Sequence, residues 1–243
     1  RAPREFNWWI GLGLLGVVLG LSLTGYLLPW DQKGYWATKV ATNIMGLTPV
    51  IGSQLQRLVV GGSEYGHLTL TRFYTLHVMV LPGALILLLV AHLALFRRHG
   101  VTYSPRHANL PEGTFWPEQV LRDAIACLVV LVGIVGAACY IHLVKGDAML
   151  DAPADPTASN YPARPEWYFL FLFQLLKYFE GPTLEVVGAI GVPAAVMLVL
   201  FLLPLLDKVI WRWLAHGIAV TFTLALIGGA GDLTWEAIQA DRD

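Results

Sequence analysis

Residues 73–98 read FYTLHVMVLPGALILLLVAHLALFRR and contain no Asp, Glu, Lys or Arg before Arg97. At 1.5 Å per residue this stretch is long enough to cross the hydrocarbon of a bilayer. Between Tyr74 and Arg97 its only ionisable side chains are His77 and His92, fifteen residues apart. That spacing is about 22 Å along a helix axis and about 60° around it, so both rings can face one interior groove. A titratable residue inside a membrane helix is costly and is usually functional. Two on one face, one near each end, point to two stacked ligand sites, with haem iron the leading candidate. Inter-helix hydrogen bonding is the competing use of such residues, and spacing alone does not separate the two.

The composition agrees with a membrane protein. The 243 residues are 56% hydrophobic and only 14% charged, against about 25% charged in a typical soluble domain. A net charge of −1 argues against a nucleic-acid partner. Cys127 and Cys139 fall in one predicted helix about 18 Å apart, too far to bridge each other. No C-x-x-C-H is present, so covalent c-type haem is not signalled. The sequence starts with Arg and lacks a signal-peptide pattern, as expected of a processed chain or part of a longer one.

Taken in order, residues 7–28 form a first span, and Gly13, Gly16 and Gly20 make a smooth ridge on it for a close neighbour or a flat cofactor. Pro29 ends that helix. Residues 30–71 are polar, with short amphipathic helices expected over 34–45 and 49–59, and Tyr35 and Trp36 suit an interfacial aromatic belt. The His-bearing span follows, with a kink expected at Pro82-Gly83. The basic cluster Arg97, Arg98, His99, Arg106 and His107 marks the cytoplasmic, or n, side. Further spans are expected over 120–143, 183–206 and 213–230, with a helix start at Trp116-Pro117-Glu118 and a short aromatic segment at 165–179. The C-terminal tail is acidic. The expected fold is all-α and integral to the membrane, with about five transmembrane helices and interfacial helices on the opposite, or p, side.

Four stretches then read together: GYLLPWDQ at 25–32, LTRFYTLH at 70–77, DAPADP at 151–156 and PEWY at 165–168. In this order they closely resemble cytochrome b of the Rieske/cytochrome b quinol oxidoreductases. PWDQ and the fifteen-residue His spacing are similar to the photosynthetic-type branch, and PEWYFLF to the mitochondrial one. On this resemblance the five spans correspond to the family's helices C to G. Residues 1–110 are the haem-ligating part and 111–243 the part with the quinol site. The family's first two helices, which carry the second axial His of each b haem, have no counterpart here, and neither does its eighth.

The resemblance implies a Q-cycle: quinol oxidation on the p side, electron transfer through two b-type haems to an n-side quinone, and proton translocation. His77 would serve the p-side haem and His92 the n-side haem, each as the one axial ligand from this chain. Arg72, one turn before His77, would pair with a haem propionate; unaided, it reads equally well as a snorkelling Arg. Glu166 would be the proton acceptor for quinol, flanked by Pro165, Trp167 and Tyr168, with Tyr26 in the same pocket. Apolar neighbours desolvate such a carboxylate and tune it for proton exchange; a Pro-Glu helix start is its structural alternative. Arg97 and Asp123 are the n-side quinone candidates, with cytoplasmic anchoring as their alternative use.

Implied partners are a Rieske iron–sulfur protein, a c-type cytochrome, the polypeptide or segment carrying the first two helices, and a second copy in a dimer. The expected location is an energy-transducing membrane, bacterial cytoplasmic by preference. A His-based proton transporter would expect polar residues on several spans or an inverted repeat. Neither is visible in the sequence. A haem-free structural subunit of the same shape is the third reading.

Overall fold

The computed structural model describes residues 4–100, 113–146, 151–158, 160–209 and 212–240. Arg106 and His107 of the expected basic cluster, and Asp241 and Asp243 of the tail, lie outside them. The described residues are overwhelmingly helical. Five helices are long and apolar enough to cross a membrane: Glu5–Tyr26, His67–His99, Phe115–Val144, Thr183–Leu206 and Trp213–Gln239.

Helix α1 is Glu5–Tyr26, α2 is Gln32–Gly46 and α3 is Gly52–Val60. Helix α4 is the long span His67–His99, with a π turn at Leu76–Val80. These four helices and the chain from residue 152 onward form one unit, while residues 100–151 form another. The second unit is the π turn Phe115–Gln119 running into α5, Val120–Lys145. Apolar side chains such as Leu128, Leu131, Val132 and Val135 cover α5 and are exposed. An all-round apolar helix of this kind is built for lipid or for neighbouring helices.

Three of the prolines that enter spans have a π turn beside them, while Pro204 sits within regular α-helix. The Leu81 amide bonds to the Leu76 carbonyl just before Pro82, the Val192 amide to Val187 just before Pro193, and the Val120 amide to Phe115 just after Pro117. Proline lacks the donor for the regular ladder and crowds the carbonyl four residues back. An i→i−5 bond widens the helix by one residue and relieves that conflict. The disturbance expected at Pro82-Gly83 is thus taken up in the turn that carries His77.

Helices α1 and α4 run antiparallel in close contact. A Cβ on Gly13 would meet Leu88 at 3.4 Å, and one on Gly20 would meet Leu81 at 3.5 Å. Two of the three ridge glycines therefore face α4, as packing without side-chain bulk requires; a Cβ on Gly16 meets nothing within 4 Å.

The aromatic segment is a 3-10 turn Trp167–Phe169 leading into α6, Leu170–Leu176. Helix α7 comprises Pro182–Val186, the π turn Val187–Gly191 and Val192–Val209. It packs against α1: Trp8 and Trp9 donate indole N–H bonds to the carbonyls of Leu200 (2.7 Å) and Phe201 (2.9 Å). Helix α8, Arg212–Gln239, packs on α6 and runs nine residues past the expected end at Ala230. Asp232 and Glu236 are therefore helical rather than tail, and Tyr178 donates a 2.6 Å bond to Glu236.

The segment 30–71 folds into its own small core. Tyr35 and Trp36 are buried, with 3% and 9% of their surfaces exposed, instead of lying in an interfacial belt. Trp30, Trp36 and Tyr65 each meet Tyr35 edge-on, at centroid distances between 5.3 and 5.9 Å. The sequence reading missed this because the partners come from separate turns of chain. Asp31 caps α2, accepting a 2.8 Å bond from the Gly34 amide. Asp31→Ala removes that acceptor and should cost about 1 kcal/mol; hydrogen exchange at the Gly34 amide is expected to accelerate while the exchange of α1 is unchanged.

Candidate functional site

Helix α1 cradles both histidines of α4. A Cβ on Gly11 would lie 3.6 Å from His92 Cε1, and one on Gly25 only 2.7 Å from His77 Cε1. Fourteen residues separate these glycines on α1, against fifteen between the histidines. The π turn at Leu76–Val80 absorbs the extra residue, so the two antiparallel helices stay in register across about 21 Å. Regular geometry alone would have put the rings about 60° apart.

The His77 ring is also oriented. Thr24 Oγ1 donates to the Gly20 carbonyl at 2.7 Å and lies 3.1 Å from His77 Nδ1. With its hydrogen committed to Gly20, the hydroxyl can only accept from the ring. From this network the proton is assigned to Nδ1, which leaves the Nε2 lone pair free. That is the tautomer an iron-ligating histidine needs. His92 Nδ1 is buried and has no hydrogen-bond partner among the described residues. It lines a cavity of about 450 Å³ with Asn7, Trp8 and His216, and Asn7 Oδ1 is likewise buried and unpartnered. A glycine cradle at both rings, the oriented ring of His77 and the orphaned polar atoms beside His92 are features that a flat, ligated cofactor would use. Among the described residues no cluster of three or more His, Cys, Asp or Glu forms a metal cage.

A second cavity, of about 370 Å³, lies between α1, α2 and the aromatic segment. Its wall is apolar apart from a few groups, and Tyr26, Pro165, Glu166 and Tyr168 all line it with Leu23 and Phe173. Three of the four resembling stretches are tied together here. The Gln32 amide donates to the Ala152 carbonyl at 2.8 Å and the Ala154 amide to the Trp30 carbonyl at 3.0 Å, pairing PWDQ with DAPADP as a short antiparallel bridge. Trp30 takes a left-handed conformation, φ 54°, at this crossing. Lys33, the next residue after PWDQ, places its ammonium 2.5 Å from Glu166 Oε1, and the Tyr26 hydroxyl donates to the same oxygen at 3.5 Å.

This environment differs from the desolvated one the sequence suggests. The Glu166 side chain is 34% exposed and carries a counter-charge supplied by a distant turn of chain. Burial, then the Glu166 carboxylate, push the Tyr168 phenol above its ordinary range, while Lys33 acts the other way. Trp167 is 72% exposed and does not line the cavity. Three successive residues of a 3-10 turn point in three directions, so Tyr168 and Phe169 face inward and Trp167 outward.

The structure brings Tyr26, Pro165, Glu166 and Tyr168 to one wall and His77 and His92 to one helix face. Arg72 Nη1 donates to the Leu58 carbonyl at the end of α3. Arg97 is exposed near the end of α4. On α5, Asp123 accepts from Gln119 at 2.8 Å, and Arg122 pairs with Glu118 at 2.7 Å.

Comparison with known proteins decides the family. The family model described as "Cytochrome b(N-terminal)/b6/petB" matches residues 1–148, and "Cytochrome b(C-terminal)/b6/petD" matches residues 153–235. The chain belongs to the cytochrome b family. It is 37% identical over 224 residues to a "Cytochrome bc complex cytochrome b subunit" of Chlorobaculum thiosulfatiphilum, covering 86% of this chain and 48% of that protein. It is 30% identical over 190 residues to a "Cytochrome b" of Rhodobacter capsulatus, covering 74% of this chain and 43% of that one. A chain of the solved "Hyperthermophilic respiratory Complex III" superimposes with a TM-score of 0.74 at 25% identity, covering 98% of this chain and 64% of that chain. This member of the cytochrome b family thus spans about half the length of the curated relatives it matches. Its five apolar helices and the Complex III likeness make it an integral membrane protein.

Sequence reading missed Lys33, Thr24 and Gly25, which the fold of this cytochrome b family member places against Glu166 and His77. Lys33 was the only base adjoining PWDQ, a signal that was present but had no partner until the chain folded.

Proposed function

We propose that the chain is the haem-ligating and quinol-site portion of a cytochrome b working in a quinol:cytochrome c-type reductase. The observation that carries this is the double cradle: His77 and His92 face glycines of one helix in matched register, beside a cavity whose wall holds Glu166. Each histidine would hold one b-type haem through Nε2, with the second axial side chain coming from a segment or polypeptide bearing the family's first two helices. Bound haem supplies one-electron redox centres within the low-dielectric slab.

The chain's own residues would do the following. The apolar wall made by Leu23, Phe169 and Phe173 binds a quinol ring and excludes water. Glu166 accepts the proton from a quinol hydroxyl at its carboxylate, and Tyr26 and Tyr168 flank the hydroxyl. Trp167, on the outer side of the turn, packs edge-on against Tyr168 and holds it against the wall. One electron and the second hydroxyl proton would go to a Rieske iron–sulfur partner, that electron passing on to a c-type cytochrome; the other electron would cross to a quinone on the n side, in a Q-cycle. Thr24 keeps His77 in its ligating tautomer, and Arg72 anchors the start of α4 and stands ready for a propionate. Arg97 and Asp123 are the n-side groups proposed to bind quinone oxygens or pass protons. The complex would be a dimer in a bacterial cytoplasmic membrane, with its proton released on the p side.

Reduced-minus-oxidised difference spectra of membranes carrying the assembled chain test the proposal. A quinol-reducible signal from two b-type haems is expected. Membranes holding the chain at full abundance with no b-type signal would sink it.

A further inference from the structure

Resting on that reading of the Glu166 cavity, we infer that Lys33 is a positioning residue for the base, holding the Glu166 carboxylate at the cavity wall and marking the side from which its proton leaves. Lys33 Nζ meets Glu166 Oε1 at 2.5 Å, yet Lys33 does not line the cavity. Its side chain is 41% exposed, more than the 34% of Glu166. The carboxylate therefore stands between an apolar cavity and a hydrated ammonium.

The charges give this arrangement a direction. The unprotonated carboxylate is attracted to Lys33 and fixed at the wall, ready to accept. When a quinol O–H bond breaks and a Glu166 O–H bond forms, the carboxyl becomes neutral and the charge attraction to Lys33 disappears. The acid is then free to turn towards hydrated surroundings and release its proton to water beside Lys33. Among the described residues, the Tyr26 hydroxyl from α1, Lys33 from α2 and Tyr168 from its own turn act on Glu166. Lys33 is the cation among these.

A half-exposed pair contributes little to stability, so Lys33→Met is expected to fold and assemble. The backbone around Lys33 is held independently by the Asp31 cap and the Gln32–Ala152 bond. What the substitution removes is the grip on the carboxylate.

The test is steady-state turnover of the full complex in native membranes, with a short-chain quinol and an oxidised c-type cytochrome. Lys33→Met should lower kcat about tenfold, a fraction of what a general base contributes, with quinol KM and haem spectra unchanged. Lys33→Arg, which retains the charge, should restore kcat to within about twofold. Lys33→Met added to Glu166→Gln should slow the enzyme no further, because both changes break one unit. Wild-type kcat in Lys33→Met, no rescue by Arg, or an additive double variant would each overturn the inference. A wild-type rate in Glu166→Gln alone would instead remove the base reading beneath it.

Discussion

Membranes carrying His77→Leu are expected to lose one of two b-type haems and keep the other, and Gly25→Val is expected to give the same spectrum. The first result follows from losing the proposed ligand. The second follows from space. A Cβ on Gly25 would come within 2.7 Å of His77 Cε1 and 3.2 Å of Nδ1, closer than non-bonded atoms tolerate. The imidazole cannot yield by flexing its own tip, as a Lys or Met would, so the whole ring must swing. The bond from Nδ1 to Thr24 breaks with it, and the ligating tautomer loses its partner. Gly16→Ala is the control: a Cβ there meets nothing within 4 Å, so both haem signals should persist. Difference spectra at matched protein abundance separate the three variants. Two unchanged haems in Gly25→Val would mean that the cradle does not exist in the assembled protein.

Glu166→Gln is expected to slow quinol oxidation about 100-fold, the lower end of what a positioned base contributes, with KM little changed. The amide has nearly the shape of the carboxylate and can still meet the Tyr26 hydroxyl, but it cannot take up a proton at neutral pH. Stability should fall by no more than about 1 kcal/mol, since the Lys33–Glu166 pair that is lost is half-exposed. Both haem spectra should be intact. Loss of the haem signals would make Glu166 structural, and an unchanged rate would remove it from the chemistry. The contrast with Gly25→Val is informative: one variant loses a redox centre without touching the cavity, and the other stops the cavity without touching a redox centre.

The spans were legible in the sequence because each is an unbroken apolar run, and in a bilayer only a helix satisfies the backbone of such a run. The two histidines were legible because they are the only ionisable groups in the apolar run between Tyr74 and Arg97. Helix ends were less so. Apolar patterning stops at Ala230, while α8 continues to Gln239, where Tyr178 on a neighbouring segment holds Glu236. Tyr35 and Trp36 read as membrane-interface aromatics until Trp30 and Tyr65 are seen packed against Tyr35.

The residues alone show five apolar runs long enough to cross a membrane, His77 and His92 on one of them, and PWDQ and PEWY in order. Tertiary structure decided the rest. It set the register in which Gly11 and Gly25 meet the two rings, because that register depends on a π turn absorbing one residue. It also decided that Glu166 faces Lys33, since residues 133 positions apart acquire a distance only when the chain between them has folded.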